Sequence, residues 1–145
     1  MVNVRHFGIV VQDIEKSLWF YRDLLGLEVA KDMVESGDYI DNFSDLEDVK
    51  VRTVKMFDKS KNGMVELLSY ESHPDKNGVN IKPINILGCS HVAFTVDNLD
   101  EKYKELVNKG LKFNSPPQLS PDGFAKVTFC RDPEGCLVEL VEELK

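Results

Sequence analysis

The stretch HFGIVVQDIEKSLWFYRDLLGLEV, residues 6–29, decides the fold because its pattern recurs 85 positions later as HVAFTVDNLDEKYKELVNKGLKF, residues 91–113. Each copy opens with a histidine, and each is followed by a Val-Glu-Leu strand, MVELLSY at 64–70 and CLVELVEE at 136–143. Self-similarity at a fixed spacing indicates a repeated structural unit. Because only two copies are present, we expect each to bury a sheet face within one two-fold domain.

The first copy predicts a strand followed by one amphipathic helix. Bulky apolar residues alternate with smaller ones over residues 7–11, which is typical of a strand. Asp13 is a candidate N-cap, and Gly26 occupies the position of a left-handed residue that ends a helix. Between them, apolar residues recur at helical spacing: Ile14, Leu18, Tyr21 and Leu25. Strands at 27–35, 49–57 and 63–70 complete a βαβββ unit.

The second copy predicts the same order of elements. Asn98 and Glu101 suit a reciprocal helix cap, and Gly110 suits the helix end. Leu99, Tyr103 and Leu106 form the apolar stripe of this helix, and strands are predicted at 112–114, 126–130 and 135–142. The predicted fold class is therefore α+β, with module one at 1–70, a linker at 71–88 and module two at 89–145. All three parts are assigned to a single domain, 1–145.

Copy one is longer than copy two. The histidine-to-glutamate span is 60 positions in the first copy and 48 in the second, so about twelve extra residues lie in the first. They fall within 34–48, which reads as an acidic and aromatic loop. Such a loop is either a solvated surface segment or a lid over a substrate, and the sequence leaves both open.

Composition excludes several classes of partner. A net charge of −7 and scattered Lys and Arg residues argue against nucleic-acid binding. No apolar run approaches the roughly 20 residues of a membrane span, and we expect a soluble, cytoplasmic protein. Three cysteines without a C-x-x-C pair fit reduced thiols packed as small apolar groups.

Histidine and glutamate recur at matching positions of the two copies. His6 shares its strand face with small residues, as does His91, and each Val-Glu-Leu strand places a carboxylate, Glu66 or Glu139, among apolar neighbours. Burying such a carboxylate is costly unless it is paired or bound to a cation. Separately, each His could be a hydrogen-bonded strand residue and each Glu a solvated one. Their symmetric recurrence favours a divalent metal site for Zn, Ni, Co, Mn or Fe.

These motifs resemble the vicinal oxygen chelate superfamily, which includes glyoxalase I, methylmalonyl-CoA epimerase, extradiol dioxygenases, and fosfomycin- and bleomycin-resistance proteins. The resemblance extends over nearly the whole chain, from HFGIVVQDIEKSLWFYRDLLGL through HVAFTV to FCRDPEGCLVELVE. It implies two tandem βαβββ modules in a cupped eight-stranded mixed sheet. It also implies a divalent metal held by the four ligands His6, Glu66, His91 and Glu139.

The activity that the resemblance implies is proton transfer next to a carbonyl group of a small metabolite, as in a lyase, isomerase or epimerase. By similarity to glyoxalase I, Glu139 or Glu66 would serve as the base, and Glu139 is preferred. Bacterial glyoxalase I-like proteins place an arginine where this chain has Val10. The typical epimerase run His-Pro-Lys is also missing. The resemblance therefore leaves open which carrier group the substrate has, its handle for binding: glutathione or CoA.

The alternative is a non-catalytic small-molecule or antibiotic-binding protein of the bleomycin-resistance type. Such proteins usually lack the four ligands that are present here, which favours the enzyme. We also expect a homodimer, because an exposed sheet edge favours symmetric pairing and modules of this kind pair within or between chains. Cations that could bind a substrate carboxylate or phosphate are Arg5, Arg52, Lys126 and Arg131.

Overall fold

The computed structural model describes all 145 residues and divides the chain into two compact units, Met1–Gly78 and Val79–Lys145. The boundary falls inside the predicted linker, which contains no helix or strand. The assignment of both units to one domain stays a prediction. None of the helices has the length and apolarity that a membrane-spanning segment requires.

The first unit contains one four-stranded mixed sheet. Its elements are β1 (Phe7–Val10), α1 (Ile14–Leu18) with a π-helical continuation (Trp19–Leu24), β2 (Glu28–Ser36), α2 (Asp38–Ser44), β3 (Lys50–Phe57) and β4 (Met64–Tyr70). The strand order is β1-β4-β3-β2, with β1 parallel to β4 and the other neighbours antiparallel. Strand β4 is therefore central, and its first four residues are buried.

The second unit repeats this topology. Its elements are β5 (His91–Thr95), α3 (Leu99–Asn108), β6 (Gln118–Leu119), β7 (Ala125–Arg131) and β8 (Leu137–Glu143). The strand order is β5-β8-β7-β6, again with one parallel pair at β5 and β8. The α+β class, the tandem modules and the total of eight strands are thus confirmed.

The first helix begins where the sequence predicts and then changes its geometry. Asp13 Oδ1 accepts a hydrogen bond from the Lys16 backbone N at 3.1 Å, as an N-cap should. Beyond Leu18 the helix widens to π geometry, with Leu25 N donating to Phe20 O at 3.0 Å. Gly26 follows with a φ of 81°, the left-handed conformation expected at the helix end.

The insertion at 34–48 is not a loop, which corrects that prediction. Strand β2 continues to Ser36, and residues 38–44 form α2. An apolar cluster and a pair of hydrogen bonds stabilise this segment. Ile40 is buried in a cluster with Val49 and Val51, and the Asp41 carboxylate accepts hydrogen bonds from the backbone N atoms of Asp48 and Val49 at 3.1 and 2.9 Å. Because α2 has one buried residue, Ile40, its sequence lacks the apolar periodicity from which a helix is predicted.

Replacing Asp41 by alanine is expected to lower the free energy of unfolding by about 1–3 kcal/mol, because two backbone donors lose a charged acceptor. Urea denaturation measures this change. The matched control is Asp38→Ala in the first turn of the same helix, where the side chain is exposed. A control variant as unstable as Asp41→Ala would show that helix composition, not the Asp41 hydrogen bonds, determines the effect.

The predicted strand at 112–114 is also wrong. Phe113 makes an isolated bridge to Cys130, flanked by backbone hydrogen bonds from Asn114 N to Phe129 O and from Arg131 N to Lys112 O, but no strand is formed. The edge strand of this sheet is β6, four residues further on. Pro116 and Pro117 lie between the two positions. Proline has no N–H to donate to a sheet, so pairing with β7 is interrupted there and resumes after it.

Candidate metal centre

The first unit places His6 against Glu66. Glu66 lies within the central strand β4, in register with Gly8 on one side and Lys55 on the other. His6 immediately precedes β1, and its Nε2 lies 3.0 Å from Glu66 Oε2. The glutamate side chain is only 11% exposed, whereas the imidazole is 34% exposed.

The second unit forms the equivalent pair. His91 begins β5, and its Nε2 lies 2.9 Å from Oε2 of Glu139 in β8. The His91 Nδ1 lies 3.0 Å from Ser90 Oγ, and its ring meets Phe129 edge to face at 5.1 Å between centroids. These contacts fix the ring and leave Nε2 directed at the carboxylate.

The two pairs match in element, register and distance, as the repeat in the sequence suggests. Within either unit, no group of three or more His, Cys, Asp or Glu side chains is arranged to hold a metal. Each unit therefore contributes one imidazole nitrogen and one carboxylate oxygen. That all four residues bind one ion stays a prediction.

The donor chemistry of each pair fits a divalent metal. Adjacent ligand atoms of an octahedral ion lie about 3 Å apart when each bond is about 2.1 Å long, which is close to the 2.9 and 3.0 Å observed. His91 Nδ1 contacts a hydroxyl, the arrangement that orients a metal-binding imidazole through its other nitrogen. Both imidazoles are about one-third exposed, which keeps the donor atoms accessible to an ion.

The cross-strand neighbour of the glutamate differs between the two pairs. Glu66 is in register with Lys55 of β3, whereas Glu139 is in register with Phe129 of β7. Cross-strand partners share a sheet face, so a cation lies beside one carboxylate and an aromatic ring beside the other. Glu139 is also the more exposed, at 21% against 11% for Glu66. The two glutamates therefore differ in their cross-strand neighbours and in their exposure.

The remaining histidine has no such partner. His73 lies in the exposed segment that follows β4 in the first unit, and its Nδ1 lies 2.7 Å from Ser72 Oγ. It faces no carboxylate, and the sequence assigned it no role.

One of the three thiols, that of Cys130, is not available as a nucleophile. Cys130 is buried, and desolvation raises the pKa of its thiol to about 12, which keeps it protonated at neutral pH. Cys89 is exposed and Cys136 half-buried.

Three of the four cations considered for substrate binding are engaged elsewhere. Arg52 bonds Glu15 and Asp32 at 2.7 and 2.8 Å, and these carboxylates raise its pKa further. Lys126 contacts Asp100 at 2.6 Å, and Arg131 donates to the carbonyl oxygens of Lys82 and Gly135. Only Arg5 stays free. The sequence patterns did not single out Lys31, Lys55 and Lys61, which line the same cavity as Arg5. For Lys55, the register of β3 with β4 indicates a position next to Glu66.

Comparison with known proteins agrees with this architecture. The chain belongs to the glyoxalase/bleomycin resistance protein/dioxygenase superfamily, whose family model matches residues 3–140. It is 30% identical over 145 residues to the protein YwkD of Bacillus subtilis, covering 97% of both chains. It is 26% identical to a lactoylglutathione lyase of Schizosaccharomyces pombe, and it spans 47% of that enzyme's length.

A solved structure of a glyoxalase family protein from Bacillus cereus superposes with a TM-score of 0.91. The comparison covers all of this chain and 96% of the other, at 23% sequence identity. This likeness confirms the glyoxalase fold.

Proposed function

We propose that the protein is a divalent-metal-dependent lyase or isomerase that moves a proton next to a carbonyl group of a small metabolite. The observation behind the proposal is the duplicated His–Glu pair, with His6 against Glu66 and His91 against Glu139 at 3.0 and 2.9 Å. Two carboxylates and two imidazoles on matching strands of a repeat are a donor set suited to one ion. The similarity to lactoylglutathione lyases favours this class of reaction.

The four side chains have distinct tasks in this proposal. His6, His91, Glu66 and Glu139 would hold the ion, which would stabilise negative charge developing on the substrate oxygen, and Glu139 would be the weakly held ligand that is released to act as the base. Glu139 removes the proton from the carbon next to the carbonyl and returns it to the product. Glu139 suits this role better than Glu66, because it is more exposed and its cross-strand neighbour is an uncharged ring rather than Lys55.

The oligomeric state belongs to the same proposal. Strand β2 ends its sheet and offers nine residues of unpaired edge, a feature that favours symmetric association into a homodimer. Light scattering after size exclusion measures the mass directly against the 16.5 kDa chain.

Metal content tests the proposed centre. After exposure to equal concentrations of Mn, Co, Ni and Zn and removal of free ions, wild-type protein is expected to retain close to one ion per ligand set. His6→Ala and His91→Ala should each lower metal affinity by about 10–100-fold or more. The matched control is His73→Ala, which removes the third histidine and should leave metal content unchanged.

Two outcomes would contradict the proposal. Equal trace metal in wild type and both variants would exclude the metal centre and favour the alternative function, a non-catalytic small-molecule binder. Loss of metal in His73→Ala would place the ion in the segment that follows β4 instead.

A further inference from the structure

A cavity of about 650 Å³ opens on the first unit. Its lining includes four cations, Arg5, Lys31, Lys55 and Lys61, together with an apolar wall of Phe57 and Met64. Phe57 is in register with Met64, and Lys55 is in register with Glu66 two residues further along β4. The cavity and the Glu66 carboxylate therefore lie on the same face of the sheet.

None of these four cations forms an ion pair, although the chain has 25 acidic residues against 18 Lys and Arg. Elsewhere in the same unit, Lys16, Lys50 and Arg52 each contact a carboxylate. Four unpaired positive charges around one concave surface raise the local positive potential. In a protein with a net charge of −7, this is a local reversal of sign.

All three lysines are placed at a cost to stability. Lys31 of β2 and Lys55 of β3 lie directly opposite one another in an antiparallel pair, and like charges in that position are destabilising. Lys61 has a φ of 59°, a left-handed conformation that glycine adopts at less cost. A bound anion would offset the repulsion between these charges.

We propose that this cavity binds a phosphate-bearing organic anion with several negative charges. Four cations around one cavity match a ligand with several negative charges, and lysine, which supplies three of them, binds phosphate as a point charge. The wall of Phe57 and Met64 provides contact for an apolar portion of the same molecule. This inference deepens the proposed function: because Lys55 adjoins Glu66, the anion would be the handle of the substrate whose carbonyl is activated at the metal centre.

Calorimetric titration of metal-free protein, prepared on a chelating resin, tests the inference with four probes: ADP, inorganic phosphate, adenosine and glutathione. ADP is expected to bind more tightly than inorganic phosphate, and adenosine is expected not to bind. Lys55→Gln and Lys61→Gln should each weaken ADP binding about tenfold, because each removes one charged contact. The matched control is Lys59→Gln, an exposed lysine in the same turn as Lys61 that does not line the cavity.

Thermal unfolding adds a readout that a merely structural role would not give. Lys31→Gln is expected to raise the melting temperature of the free protein, since it removes the repulsion with Lys55, and to reduce the additional stabilisation by ADP. No ADP binding, or binding that Lys55→Gln leaves unchanged, would overturn the inference. Glutathione binding more tightly than ADP would assign the cavity to a carboxylate ligand instead. Because the titration uses metal-free protein, failure of the metal centre is measured separately.

Discussion

Glu139→Gln is expected to lower turnover by about 10²–10⁴-fold, the usual contribution of a positioned general base. Glutamine keeps the size of the side chain but cannot accept the proton. Exchange of the substrate proton with solvent deuterium, followed by NMR, measures this step on thiohemiacetals of glutathione and on 2-methyl-acyl thioesters of CoA. Metal content is measured on the same samples, so that turnover is expressed per bound ion.

Glu143→Gln is the matched control for this variant. Glu143 ends the same strand, is exposed, and is expected to be dispensable for exchange. A Glu139→Gln protein that exchanges the proton within tenfold of wild type, at equal metal occupancy, would exclude Glu139 as the base. If Glu66→Gln instead removes exchange while keeping the metal, the roles of the two glutamates are reversed.

The largest effect on stability is expected from Phe20→Ala, which should lower the free energy of unfolding by about 3–5 kcal/mol. Phe20 and Tyr21 are both fully buried, and their rings meet edge to face with centroids 4.8 Å apart. Removing one ring loses its burial, its aromatic contact and the packing around the resulting cavity. Urea denaturation, with the slope checked for two-state behaviour, measures the difference.

Trp19→Ala provides the comparison for Phe20→Ala. Trp19 precedes Phe20 in the same π-helical segment and is 36% exposed, so its loss should cost less than that of Phe20 despite its larger side chain. Equal destabilisation by the two variants would show that the helix itself, rather than the buried ring, accounts for the loss.

The sequence predicted most of the fold because the repeat provided two independent copies of each signal. Both N-caps, Asp13 and Asn98, and both helix ends, Gly26 and Gly110, were predicted and are found. Helix α2 was missed because no counterpart exists in the second copy. Its folding depends on Asp41 accepting from residues seven and eight positions away, a contact that no local pattern indicates.

For the candidate site, the sequence predicted that a histidine and a glutamate of each copy share a strand face, but it did not predict the side chains around them. In the structure, the pairing of β1 with β4 brings His6 to within 3.0 Å of Glu66. The free lysines of the cavity could not be identified, because a free lysine and a paired one look the same in a sequence. Arg52 illustrates this point: it was a candidate for substrate binding until Glu15 and Asp32 were found beside it.

The π-helical segment explains a difference of one residue between the two copies. Thirteen positions separate the cap Asp13 from Gly26, whereas twelve separate Asn98 from Gly110, whose helix α3 is regular. A π turn accommodates one additional residue within a helix whose two ends stay fixed. A one-residue deletion within Trp19–Leu24 is therefore expected to convert the π segment to a regular α-helix while Asp13 and Gly26 keep their places at its ends.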